Sequence, residues 1–227
     1  MKKIIFLSTI FLLLATSVHA QSVDILWQGD TYTPPFYQGK SLWSTQSMIT
    51  FVAIPNGLGN PSNLYYKWIR NGTVLGNSNG VGKNTLVFLD DILSRTQNIE
   101  VEIISASDNV LASSSISVTP IVPTLAVYEN NPLYGFMFHK AVGENYRLKE
   151  NELTLSAFPY FFNADTRLSN NLTYEWRTNT GGLGIRNSVT YRAPDNASGS
   201  SQVSLRVSNK NYITQNVEKG FLVEFGE

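Results

Sequence analysis

The chain predicts an all-β protein of two tandem β-sandwiches behind a removable export segment. Three observations carry that expectation. Past its first 20 residues the sequence alternates apolar and polar positions over short runs, with Gly, Asn, Ser and Pro between them, which is the strand-and-turn pattern. No stretch there has convincing helical periodicity. And the strand-like segments recur, in order, roughly 100 residues further on.

The opening "MKKIIFLSTIFLLLATSVHAQS" places two lysines before an apolar run from Ile4 to Ala15, with Val18 and Ala20 as small residues before Gln21. A charged start, an apolar middle and a small-residue cleavage site make a secretory signal peptide over 1–20. The apolar run falls short of the roughly 20 residues that span a bilayer. Lys2, Lys3 and His19 leave with it, so the 17 basic residues drop two below the 17 acidic ones and His139 is the remaining histidine. A near-neutral chain without a basic tract has little electrostatic attraction for nucleic acid or acidic lipid. There is no cysteine. An exported domain without disulfides must be stabilised by core burial.

"MITFVAIP" (48–55), "IEVEIISA" (99–106), "ELTLSAFP" (152–159) and "QVSLRVSN" (202–209) read as strands. They pair across the repeat. "ITFVAIP" matches "LTLSAFP", "LYYKW" (64–68) matches "LTYEW" (172–176), "KNTLVF" (83–88) matches "RNSVTY" (186–191), and 99–106 matches 202–209. "PPFYQGKSL" (34–42) loosely matches "NPLYGFMFHKAV" (131–142). A period of this length suits one sandwich of about seven strands, not a solenoid repeat. Pro120 and Pro123 in "SVTPIVPTL" interrupt strand pairing, which puts the domains at 21–120 and 121–227.

Trp68 and Trp176 are the expected core anchors, with Tyr66 and Tyr174 on the same strand face. Side chains alternate along a strand, so Lys67 and Glu175, between the rings, face outward. The middle residue changes charge between copies while the rings stay, as a core position beside a solvent position would. "YKWIRNG" and "YEWRTN" resemble the Tyr-x-Trp-x-x-(Asn/Asp)-Gly element of bacterial extracellular immunoglobulin-like and polycystic-kidney-disease-type (PKD-like) domains. The Trp-Asp-Phe-Gly-Asp-Gly motif and the immunoglobulin cysteine pair do not occur here. "NPLYG" and "AFPYFF" are similar to segments of uncharacterised exported two-domain bacterial proteins. The resemblance implies immunoglobulin-like sandwiches and supplies no activity.

"GNSNG" (76–80) fits Gly-x-Ser-x-Gly, and a hydrolase could be drawn from Ser78, Asp90 or Asp108, and His139. The nucleophile elbow needs a strand–turn–helix corner, no helix follows, and copy two has "NTGGLGIRN" there. The stretch is better read as a turn. "GVGKNT" (80–85) fails the phosphate-loop pattern, because Asn77 stands for its first glycine and Asn84 for its Ser or Thr. One histidine and no cysteine leave no common zinc site. Asp90-Asp91, Glu129-Asn130-Asn131 and Asp195-Asn196 could offer oxygens to calcium without EF-hand spacing and read as solvated turn acids. No cofactor is expected.

"WQGDTYTPPFY" (27–37) and "FPYFF" (158–162) are dense in rings. Packing is the first expectation for them. Exposed, coplanar Trp27, Tyr32, Phe36 and Tyr37 would instead form a sugar-binding platform. The functional expectation is an exported, non-catalytic binding, adhesion or spacer protein whose partner is a protein or polysaccharide at the cell surface. A carbohydrate-binding module is the alternative, and a hydrolase using Ser78 a remote one.

Overall fold

The computed structural model describes residues 20–226. The export signal read over 1–20 therefore lies, up to residue 19, outside the described residues. Among the described residues seventeen strands form in chain order, beginning with β1 (Ser22–Asp30), β2 (Met48–Asn56), β3 (Tyr65–Arg70), β4 (Thr73–Val74), β5 (Gly80–Val81), β6 (Thr85–Leu89), β7 (Gln97–Ile104) and β8 (Val110–Val118). After Pro123 follow β9 (Thr124–Asn131), β10 (Gly135–Ala141), β11 (Asn145–Arg147), β12 (Glu152–Tyr160), β13 (Leu172–Thr178), β14 (Gly181–Gly184), β15 (Ser188–Arg192), β16 (Gly199–Asn209) and β17 (Asn216–Phe225). The four strands read from the sequence are β2, β7, β12 and β16. Among the described residues, no helix is long and apolar enough to cross a membrane.

The strand order is that of immunoglobulin-like sandwiches. In the first half the sheets run β1-β2-β6 and β4-β3-β7-β8; in the second, β10-β9-β12-β15 and β11-β17-β16-β13-β14. Each copy puts its first, second and fifth core strands in one sheet and its third, sixth and seventh in the other, the Greek-key division of the immunoglobulin fold. β11 adds to its sheet by pairing parallel with β17, Asn145 opposite Leu222.

By contacts the chain forms two compact units. Of the described residues, the smaller holds those up to Leu26, Val52–Asn84 and Ile99–Ile116; the larger holds Trp27–Phe51, Thr85–Asn98 and those from Ser117 on. In the smaller unit Tyr66 and Trp68 on β3, and Ile99, Val101 and Ile103 on β7, are wholly buried. These are alternate residues, as the pleat requires. β3 turns into β4 through Asn71 and Gly72, both at positive φ (50° and 79°), the combination a two-residue hairpin turn demands. In the larger unit one core takes Val127, Leu153, Leu155 and Ala157 from one sheet and Tyr174, Trp176, Val203, Leu205, Val207, Phe221 and Val223 from the other.

The two copies share individual hydrogen bonds as well as strands. Trp68 Nε1 donates to the Lys83 carbonyl at 2.9 Å, and Trp176 Nε1 to the matching Arg186 carbonyl at 2.8 Å. Tyr66 Oη donates to the Pro61 carbonyl and Tyr174 Oη to the Arg167 carbonyl, each in the loop before its strand. The Ala53 amide meets the Asn84 carbonyl and the Ala157 amide the Asn187 carbonyl, both at 2.8 Å. A buried indole or phenol must find such a partner, and in both halves the acceptor accompanies the ring. The outward position is preserved as a pair with reversed sign. Lys67 stands opposite Glu102 on β7, Nζ to Oε2 2.7 Å, and Glu175 stands opposite Arg206 on β16.

Candidate binding surface

The ring-rich segment 27–37 belongs to the larger unit, where each of its aromatics has a neighbour. The Phe36 ring packs 4.0 Å from Phe138 (centroid to centroid) and edge-on against Tyr128 and Phe158. Tyr37 packs edge-on against Tyr160 and Phe161. Tyr32 exchanges both backbone bonds with the 161–162 turn, its amide to the Phe162 carbonyl and its carbonyl from the Phe161 amide. Burial raises the Tyr32 phenol above its ordinary pKa. Trp27 is half-buried and carries Lys40 Nζ 3.4 Å from its ring centroid. Interplanar angles of 76° to 89° at Tyr37 and at the Phe36–Tyr128 pair are the edge-to-face geometry of packed rings.

Phe36, Tyr128, Phe136, Phe138 and Phe158 form one ring cluster, and the Arg167 guanidinium lies over two of them, 4.9 Å from Phe136 and 4.5 Å from Phe158. Its Nη1 is buried without a hydrogen-bond partner, so the ring faces are what its charge meets there.

Apolar residues reach solvent at several places, and two adjacent ones do so at the β9–β10 hairpin. Leu133 and Tyr134 at its tip are 85% and 77% exposed. The tip is held in shape. Asn131 Oδ1 accepts from the Leu133 amide at 3.0 Å and the Tyr134 amide at 3.3 Å, and Gly135 follows at φ +72°; a left-handed position of this kind favours glycine. The loose match of "NPLY" to "PPFY" implies like environments, but Phe36 packs among rings whereas Leu133 and Tyr134 project outward. The pattern of residue types is the same in both; the difference is that one segment lies against a sheet and the other turns away from it.

Along β10 the side chains meet two surroundings. Phe136 and Phe138 enter the ring cluster, while Met137 and His139 line a cavity of about 230 Å³ together with Glu129, Lys140, Tyr146, Arg147 and Lys149. Between Phe136 and Ala141 the β9–β10 register slips, four residues of β10 standing against Glu129 alone, and this bulge opens the cavity. Glu129 is held on its wall by Tyr146 Oη at 2.6 Å and Asn131 Nδ2 at 3.1 Å. Burial, then the bond to Glu129, pushes the Tyr146 phenol well above its ordinary range.

The residues of the hydrolase alternative are spread over the chain. Ser78 ends a short 3-10 turn, Gly76–Ser78, that leads into β5 and not into a helix. Asn79 of the same "GNSNG" accepts from the Trp68 amide at 2.8 Å, so this stretch secures the core strand beside it. Ser78 and Asp108 belong to the smaller unit, Asp90 and His139 to the larger, and the cavity that His139 lines contains no serine. Among the described residues no three His, Cys, Asp or Glu side chains gather as a metal site would require.

No family model matches the chain, and no curated protein matches it significantly. Solved structures similar to it include tandem domains. The three N-terminal domains of the bacteriophage RB49 outer capsid protein Hoc share 16% identity over 90% of this chain and 59% of that one, at a TM-score of 0.44. Fibronectin(III)-like modules of Clostridium thermocellum CbhA share 10% over 88% of this chain and 93% of theirs, TM-score 0.29. Sidekick-1 immunoglobulin domains 1–4 share 12% over 93% and 51%, TM-score 0.32. The chain thus spans little more than half the length of the Hoc and Sidekick-1 structures. At these scores the fold assignment rests on the strand order described above.

Proposed function

We propose that this chain is an exported, non-catalytic binding protein whose two immunoglobulin-like sandwiches display a contact surface to a protein or polysaccharide partner at the cell surface. The observation that carries it is the β9–β10 tip, Leu133 and Tyr134, exposed and yet fixed by the Asn131 turn. Burying such groups on association is favourable, and a loop already held in its presented shape loses little entropy when it docks. Binding residues on loops carried by a rigid sandwich are the usual use of this architecture. Secretion follows from the charged, apolar, small-residue pattern of the first 20 residues.

The test is a photo-crosslinking residue in place of Tyr134, with the chain presented to intact producing cells. A discrete adduct that weakens in a Leu133→Ser background supports the reading. Labelling indistinguishable from that of a crosslinker at Lys83, an exposed residue of the smaller unit, would overturn it.

A further inference from the structure

We propose that the cavity beside β10 and β11 binds one acidic substituent of a polysaccharide, a carboxylate or sulfate carried on a sugar. This deepens the reading of the chain as a binding protein and rests on it. Lys140, Arg147 and Lys149 line this cavity together with His139. None of those three cations has an ion-pair partner among the described residues, whereas Lys67, Arg177, Arg192 and Arg206 each meet a glutamate. The acid on the wall, Glu129, already accepts from Tyr146 and Asn131. The nearby acids Glu144 and Glu150 do not line the cavity. Cations thus outnumber carboxylates three to one around a concave space.

The shape narrows the ligand. A cavity of about 230 Å³ is smaller than the usual site for a whole small molecule, and suits a single charged group with part of the ring that bears it. Arg147 can present a planar fork to two oxygens of such a group, and the lysines act as point charges around it. Met137 and Tyr146 supply apolar wall. An anionic bilayer would be met by cations spread over a convex face, whereas these line a concave space.

The experiment is calorimetric titration of the full-length chain at low salt with oligogalacturonate, a heparin-derived oligosaccharide, a neutral oligosaccharide of equal length, and phosphatidylglycerol vesicles. The expected result is binding of one or both acidic glycans, no binding of the neutral one, and weakening as salt is added. Arg147→Gln and Lys149→Gln should each weaken binding about tenfold, the loss of one charge-assisted hydrogen bond, while Lys83→Gln in the smaller unit changes nothing. Both substituted side chains are exposed, so unchanged circular dichroism and thermal unfolding are expected to accompany the effect. Binding that persists undiminished in Arg147→Gln and Lys149→Gln, silence toward both acidic glycans, or binding of vesicles alone would each overturn the proposal. Tyr134 crosslinking retained in Arg147→Gln would show that only the cavity assignment had failed, and its loss from wild type would strike the binding-protein reading itself.

Discussion

At the scale of the residue, the chain depends most on Trp68 and Trp176. Both are wholly buried, and both donate their indole N–H to a carbonyl one strand away. Replacing Trp68 by Ala removes the ring and leaves the Lys83 carbonyl without its donor. The expected cost is about 3–5 kcal/mol, read as a lower urea midpoint with an unchanged slope, and Trp176→Ala should cost a similar amount in the second copy. Retention of wild-type stability by either variant would mean that the repeated Trp is not a core anchor. The outward residue between the rings obeys a different rule: Lys67 faces Glu102 and Glu175 faces Arg206, so its sign is free to change as long as its cross-strand neighbour changes too. That Tyr-x-Trp strands exist could be read from alternation alone. Which carbonyl each indole meets could not, because the donor and acceptor are separated by a hairpin whose path the local sequence leaves open.

At the scale of the element, the turn at 44–47 and the loop at 209–215 are joined by a buried amide network in the larger unit. Gln215 is wholly buried. Its Nε2 donates to the Thr45 carbonyl at 2.8 Å and to Ser44 Oγ at 3.3 Å, and its Oε1 accepts from the Asn163 amide at 2.8 Å and from Asn209 Nδ2 at 3.2 Å. Beside it Gln46, at φ +57°, accepts from Thr214 through its side chain and from Asn163 through its carbonyl. Gln215→Ala would leave donors and acceptors buried and unpaired, costing about 1–3 kcal/mol. Thermal unfolding of the variant checks it, and an unchanged midpoint would show that water replaces the amide without loss. Nothing in the sequence singles out Gln215. A polar residue in an Asn- and Thr-rich loop reads as solvated, and becomes a core residue only because another segment closes over it.

At the scale of the whole molecule, the compact units do not follow a single cut in the chain, since segments 27–51 and 85–98 pack with the residues from Ser117 on. Phe36 covers Tyr128, Phe138 and Phe158, Tyr37 covers Tyr160 and Phe161, and Ser44 and Thr45 take the amide of Gln215. Residues 121–227 made alone would lose all of these partners. The fragment should bind a hydrophobic dye and unfold at a lower temperature than the full chain; equal stability and no dye binding would show that this packing contributes little.

The sequence by itself determined the all-β class, four of the long strands and the two recurring Tyr-x-Trp segments. Alternation and turn residues are local, and a repeated domain carries its local pattern with it. The tertiary structure decided which aromatics are covered and which remain bare, since "PPFY" and "NPLY" differ less in composition than in what lies against them. It also decided that His139, Lys140, Arg147 and Lys149 share one cavity lining. They sit within a short span of sequence, but a register slip in β10 and the parallel docking of β11 on β17 bring them around one cavity, and neither event is written in the pattern of any single strand.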